Sequence, residues 1–120
     1  MSRDIFVQDL PAGILSVEDI PDDFVPQPLE VTRSEVVAAL RSAVATCDVS
    51  DPTWISIEEP GKYHIEVNLG TSERLESFAF HVRGGREAEQ LIKSLLERLN
   101  LRALDSESET GVFSPDEANG

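Results

Sequence analysis

The chain has 120 residues, 40% of them hydrophobic and 28% charged, which is enough for one compact core and too apolar for a wholly disordered chain. Twenty-three acidic residues against ten basic ones give a net charge of −13, and the acid is densest in residues 1–30 and 101–120. No cluster of Lys and Arg is present to meet phosphates, so the composition argues against nucleic acid and anionic membranes as partners and leaves a basic protein as the electrostatically favoured one.

Ile5 to Leu10 reads as a first strand, bounded by Pro11 and Gly13. Asp4 and Asp9 beside this short apolar run are unlike a signal peptide, and no run approaches the eighteen or so apolar residues of a membrane span. Cys47 is the only cysteine, so no internal disulfide is available and the expected location is the cytoplasm. Ser16 to Glu30 carries Pro21, Pro26 and Pro28 and predicts an extended or irregular surface connector. Thr32 with Glu35 forms a capping box, which starts a helix near residue 33. Its apolar stripe is Val36, Val37, Leu40, Ala43, Val44 and Cys47, and Asp48, Ser50, Asp51 and Pro52 end it.

Three strands follow, Trp54 to Glu59, Tyr63 to Leu69 and Ser77 to Arg83, and should form an antiparallel meander. Tyr63, Ile65, Val67 and Leu69 alternate with His64, Glu66 and Asn68, and Phe78, Phe80 and Val82 alternate with Ala79, His81 and Arg83. Pro60, Gly61 and Lys62 make a short loop that sets Ile57 opposite Ile65. Across the longer loop, one permitted register sets Val67 opposite Phe78 and His64 opposite His81. Gly84 and Gly85 break the strand before a second helix over residues 86–100, with Ala88, Leu91, Ile92, Leu95 and Leu99 inward and Glu89 and Lys93 as an outer i, i+4 pair. Residues 101–104 are a closing strand, Val112 and Phe113 are candidates to pin the end, and residues 114–120 read as an acidic flexible tail behind a single domain over 1–113.

The order β–α–β–β–β–α–β predicts a two-layer α+β fold, a mainly antiparallel sheet with both helices on one face. Phe78, Phe80, Ile65, Leu91 and Leu95 should dominate the core, at about 1.5–3 kcal/mol for each side chain fully buried.

The opposite sheet face holds the most site-like grouping: Trp54, His64, Glu66, His81 and Arg83, with Gly84 and Gly85 at its edge. Two imidazoles, a carboxylate, a guanidinium fork and an aromatic plate suit polar recognition, although any half-exposed antiparallel sheet shows such alternation. His64, Glu66 and His81 fall short of the convergent ligand set that zinc requires, so no metal or other cofactor is expected. Gly84-Gly85 lacks the spacing of a dinucleotide fingerprint or a phosphate loop and reads as a tight turn. Cys47 lies on an apolar stripe, where a thiol is packing rather than nucleophile, and no paired carboxylates are set apart for acid and base work. The chain is expected not to be an enzyme.

The segments DIFVQDLP (4–11), DIPDDF (19–24), DPTW (51–54), HVRGG (81–85) and LRALDSESETG (101–111) resemble those of a group of small, acidic bacterial proteins. The resemblance implies one domain that includes the closing strand, and it brings no catalytic residue or ligand with it. The functional expectation is a protein-interaction module of immunity or inhibitor type that meets a basic partner. The alternative is a small-molecule or metal-binding module on the polar sheet face.

Overall fold

Alternating strands must bury one face, and the two amphipathic helices must bury theirs, so the sheet and helices are each other's cover. The computed structural model describes residues 2–44 and 47–113. The residues 114–120 expected as a tail lie outside that range. The strands are β1 (Ser2–Gln8), β2 (Cys47–Asp48), β3 (Trp54–Glu59), β4 (Tyr63–Asn68), β5 (Ser77–Gly84) and β6 (Ala103–Asp105), and the helices are α1 (Arg33–Ala43) and α2 (Arg86–Leu99). They make one six-stranded sheet in the order β2-β3-β4-β5-β1-β6, antiparallel throughout. The two-layer α+β architecture and the expected order of elements hold, with β2 as an addition.

The core lies between this sheet and the helices. Ile5, Val7, Ile55, Ile57, Ile65, Val67, Phe80 and Val82 from the strands meet Val36, Leu40, Ile92 and Leu95 from the helices in one buried cluster. Phe78 packs edge-on against Phe80, with ring centroids 5.6 Å apart. Leu91 is only half-buried and packs at the margin of the cluster.

The capping box forms: Thr32 Oγ1 accepts from the Glu35 amide at 3.2 Å, and the Glu35 carboxylate accepts from the Thr32 amide at 3.1 Å. The Arg33 and Ser34 amides are taken by the Glu73 carbonyl at 2.8 Å and the Glu73 carboxylate at 2.7 Å. Those bonds from Ser34 hold the Glu73 carboxyl below its usual range. At the other end α1 stops at Ala43, earlier than expected, because Val44 turns extended while its amide still bonds the Leu40 carbonyl. Cys47 is therefore not on the helix. It sits in β2 opposite Ile57, and Ala39 rather than Ala43 completes the buried stripe. The valines at 44 and 49 favour extended backbone, which outweighs the helical spacing of Cys47. The C-terminus of α2 closes with Asn100 in the left-handed conformation and the Leu101 amide on the Leu96 carbonyl at 2.8 Å.

The register between β3 and β4 is the one expected, Ile57 opposite Ile65. Between β4 and β5 it differs by two residues: Val67 faces Phe80, not Phe78, and His81 faces Glu66, while His64 faces Arg83. A slip of two keeps every apolar side chain inward, so alternation alone does not choose between these registers. The loop chooses. Leu69 and Leu75 turn into the core, and the Leu75 carbonyl accepts the Leu29 amide at 2.9 Å, which ties the connection between β4 and β5 to the chain entering α1 and leaves no room for a tighter hairpin.

Residues 103–113 fold back on themselves: the Asp105 amide bonds the Gly111 carbonyl at 2.8 Å, Leu104 bridges to Val112, and the Phe113 amide bonds the Ala103 carbonyl at 3.0 Å. Phe113 packs on the core margin as expected. The connector is irregular apart from a 3-10 turn at Val17–Asp19, and it is stitched to the same region by the Val17 amide on the Thr110 carbonyl at 2.8 Å.

A charge cluster locks this corner. Asp105 is only 3% exposed, and Arg3 donates to it from Nε at 3.0 Å and again from a second guanidinium nitrogen. The remaining arm of Arg3 pairs with Glu89 of α2, and the guanidinium lies over the Phe113 ring at 5.9 Å. Glu89 thus faces the sheet, and Lys93 pairs with Glu97 at 3.3 Å. Bonds to Asp105 and Glu89 push the Arg3 pKa up despite burial, so its charge persists at every pH at which the protein folds. Removing Arg3 would strand the Asp105 carboxylate in the interior, whereas removing Asp105 leaves the partly exposed guanidinium with Glu89 alone. Asp105→Ala is therefore expected to destabilise by about 1.5–3 kcal/mol in urea unfolding, and a change below about 0.5 kcal/mol would show that the Arg3–Asp105 bonds contribute nothing.

Candidate functional site on the open sheet face

The helices cover one side of the sheet, and the paired registers lay the side chains of the other side in rows. One row runs Trp54, Asn68, Ala79, Phe6 and Leu104. The next runs Asp48, Ser56, Glu66, His81 and Asp4, and a third Glu58, His64 and Arg83. Phe6 and Trp54 are 42% and 41% exposed, so two aromatic side chains stand in solvent on the same uncovered surface.

The indole of Trp54 does not stand upright. It stacks on the His81 imidazole, with ring centroids 5.5 Å apart and planes 19° from parallel, and its Nε1 donates to the Glu66 carboxylate. The other Glu66 oxygen lies 3.5 Å from His64 Nε2. His81 Nδ1 lies 2.7 Å from the Asp4 carboxylate, which pairs with it across β1 and β5. Trp54, Glu66, His64, His81 and Asp4 thus form one continuous network over four strands.

Of the residues singled out from the sequence, Trp54, His64, Glu66 and His81 are brought together. Arg83 lies beside His64 and, among the described residues, has no hydrogen-bond or ion-pair partner. Gly84 and Gly85 lie apart from the network. Gly84 sits opposite Tyr63 with φ of 150°, and a Cβ there would come within 2.6 Å of the Tyr63 Cβ, so packing demands the glycine. Gly85 caps α2, whose first turn carries Glu87 and Glu89. Those carboxylates occupy the positive end of the helix and oppose an anion there.

Asp4, Phe6, Ala79, Leu104 and Asp48 belong to the same surface and were not singled out. The alternation of Asp4 and Phe6 with Ile5 and Val7 marks their common face. What it does not mark is that β1 lies next to β5, a pairing across about seventy to eighty residues of chain.

Among the described residues no group of three or more His, Cys, Asp or Glu side chains is arranged to hold a metal ion. The His81–Asp4 pair has the form of an oriented base, yet no Ser, Thr or Cys side chain of the described residues hydrogen-bonds either imidazole. Cys47 lies on the opposite, helix-covered side of the sheet, and burial with the neighbouring Asp48 pushes its thiol up, away from the reactive thiolate. No helix of the described residues is long and apolar enough to cross a membrane. No protein-family model, curated protein or solved structure matches the chain.

His81→Ala removes the plate on which the indole rests. Its emission should shift to the red in a fluorescence spectrum, while the urea stability changes by less than about 1 kcal/mol because both rings are partly hydrated. An unshifted emission maximum would show that Trp54 and His81 are not stacked in solution.

Proposed function

We propose that the chain is a non-catalytic protein-interaction module, of immunity or inhibitor type, that engages a basic protein with its open sheet face. The observation that carries this reading is the composition of that face: among its described paired residues, two exposed aromatic side chains stand beside Asp4, Asp48, Glu58 and Glu66, four carboxylates against the one guanidinium of Arg83. Interfaces concentrate their energy in aromatic anchors, and complementary charge supplies orientation and rapid encounter.

The distribution of cations supports the same direction of approach. The two helices on the other side of the sheet carry five bases, Arg33, Arg41, Arg86, Lys93 and Arg98, against four acids, Glu35, Glu87, Glu89 and Glu97, so that side is close to neutral while the open face is acidic. A basic partner is therefore drawn toward the open face rather than the helical one. Pairing of two copies through this face would set carboxylates against carboxylates, which disfavours a self-complex.

The test is capture on immobilised protein with the Glu58→Lys, Phe6→Ser double variant as control. The expected outcome is retention of proteins of high isoelectric point by the unaltered chain, release as salt rises from about 0.05 M to 0.5 M, and loss of retention by the variant. Acidic captured proteins, no captured protein, or equal retention by the variant would each count against the proposal.

A further inference from the structure

The apolar row of the open face is not uniformly filled. Trp54 leans away from it, because stacking on His81 and the bond to Glu66 hold the indole over the neighbouring row. Ala79 is the smallest side chain among the sheet residues that face outward in this row, and it sits between Asn68 on β4 and Phe6 on β1. A recess of about 370 Å³ opens there, walled by Phe6, Leu104, Asn68, Gln8 and Ser77 over Ala79. The recess is open to solvent rather than enclosed, so it can cover one side of a seated side chain. Phe6 stays 42% exposed at its wall, so apolar surface remains for a partner to cover.

The charge differs between the two ends of the recess: Arg33 donates to the carbonyl of Gly70 at one end, at 3.2 Å, and the carboxylates stand at the other. Glu66 and Asp4 stand two residues along the same strands from Asn68 and Phe6, roughly 7 Å away by strand rise. Arg83, the cation of the open face, is a further row beyond them. Resting on the proposed role of this face, we infer that the recess is the anchor pocket of the interface, and that it receives one large apolar side chain from a basic partner whose Lys or Arg stands two positions along an extended segment. With the segment running along the strands, the anchor covers Ala79 and Phe6 while that cation lies over the row that holds Glu66 and Asp4. Both carboxylates already accept bonds from Trp54 and His81, which fixes their positions before the partner arrives and lowers the ordering cost of binding.

Three capped heptapeptides, SRSLSRS, SRSASRS and SESLSES, separate the parts of this inference when each is titrated into the full chain and followed by amide shifts in NMR. SRSLSRS is expected to shift the Phe6, Asn68, Ala79 and Leu104 amides, and SRSASRS to bind at least about fivefold more weakly, because less apolar surface is covered. Ala79→Phe, which fills the recess from the solvent side, should weaken SRSLSRS by a similar factor while the dispersion of the remaining amides shows an intact fold. Equal binding of SRSASRS and SRSLSRS, or an unaffected Ala79→Phe variant, overturns the anchor pocket and leaves the wider reading of the face in place. Equal binding of SESLSES removes the preference for a basic partner itself. No shift with any peptide at millimolar concentration overturns the pocket.

Discussion

The pairing of Glu66 with His81 across β4 and β5 is the constraint on which the surface depends. It sets the two central polar side chains in one row, brings Asp4 into line on β1, and places Trp54 one row away on β3, close enough to lay its ring on the imidazole. A register differing by two residues would keep the same apolar core and dissolve this network. The core fixes which side is open, and the loop between β4 and β5 fixes what that side displays.

That loop works because it serves two elements at once. Leu69 and Leu75 anchor it in the core, while Glu73 satisfies two amides at the start of α1 and the Leu75 carbonyl receives Leu29. Orphan amides at a helix start need partners, so the helix and the register stabilise each other. At the far edge, Arg3, Asp105 and Glu89 bind β1, β6 and α2 together, which holds β1 against β5 and keeps Asp4 and Phe6 on the open face. A charged residue in a nearly closed environment is an expensive way to fix a corner, and it is specific for the same reason.

Much of this was legible in the residues. The capping box at Thr32, the alternation in β4 and β5, the stripe of α2 and the grouping of Trp54, His64, Glu66 and His81 on one face all follow from local chemistry. Three things were not legible. Cys47 has helical spacing from Leu40 and Val44, but the chain there turns extended. Gly84-Gly85 reads as a tight turn, but the reason Gly84 is required, the Tyr63 side chain opposite, lies on another strand. The partners of β1 and of Arg3 are set by contacts about seventy to a hundred residues away, and no periodicity within a strand reports such a distance. Asp4, Phe6 and the recess at Ala79 therefore emerge only from the assembled sheet.

Nuclear Overhauser contacts between the side chains that meet across β3, β4 and β5 decide whether the open face is built this way. Contacts between the Trp54 indole and the His81 imidazole, together with cross-strand backbone contacts between Glu66 and His81, are the result the structure requires. Backbone contacts pairing His64 with His81, with the indole remote from both, would contradict the register and remove the surface on which the proposed function stands.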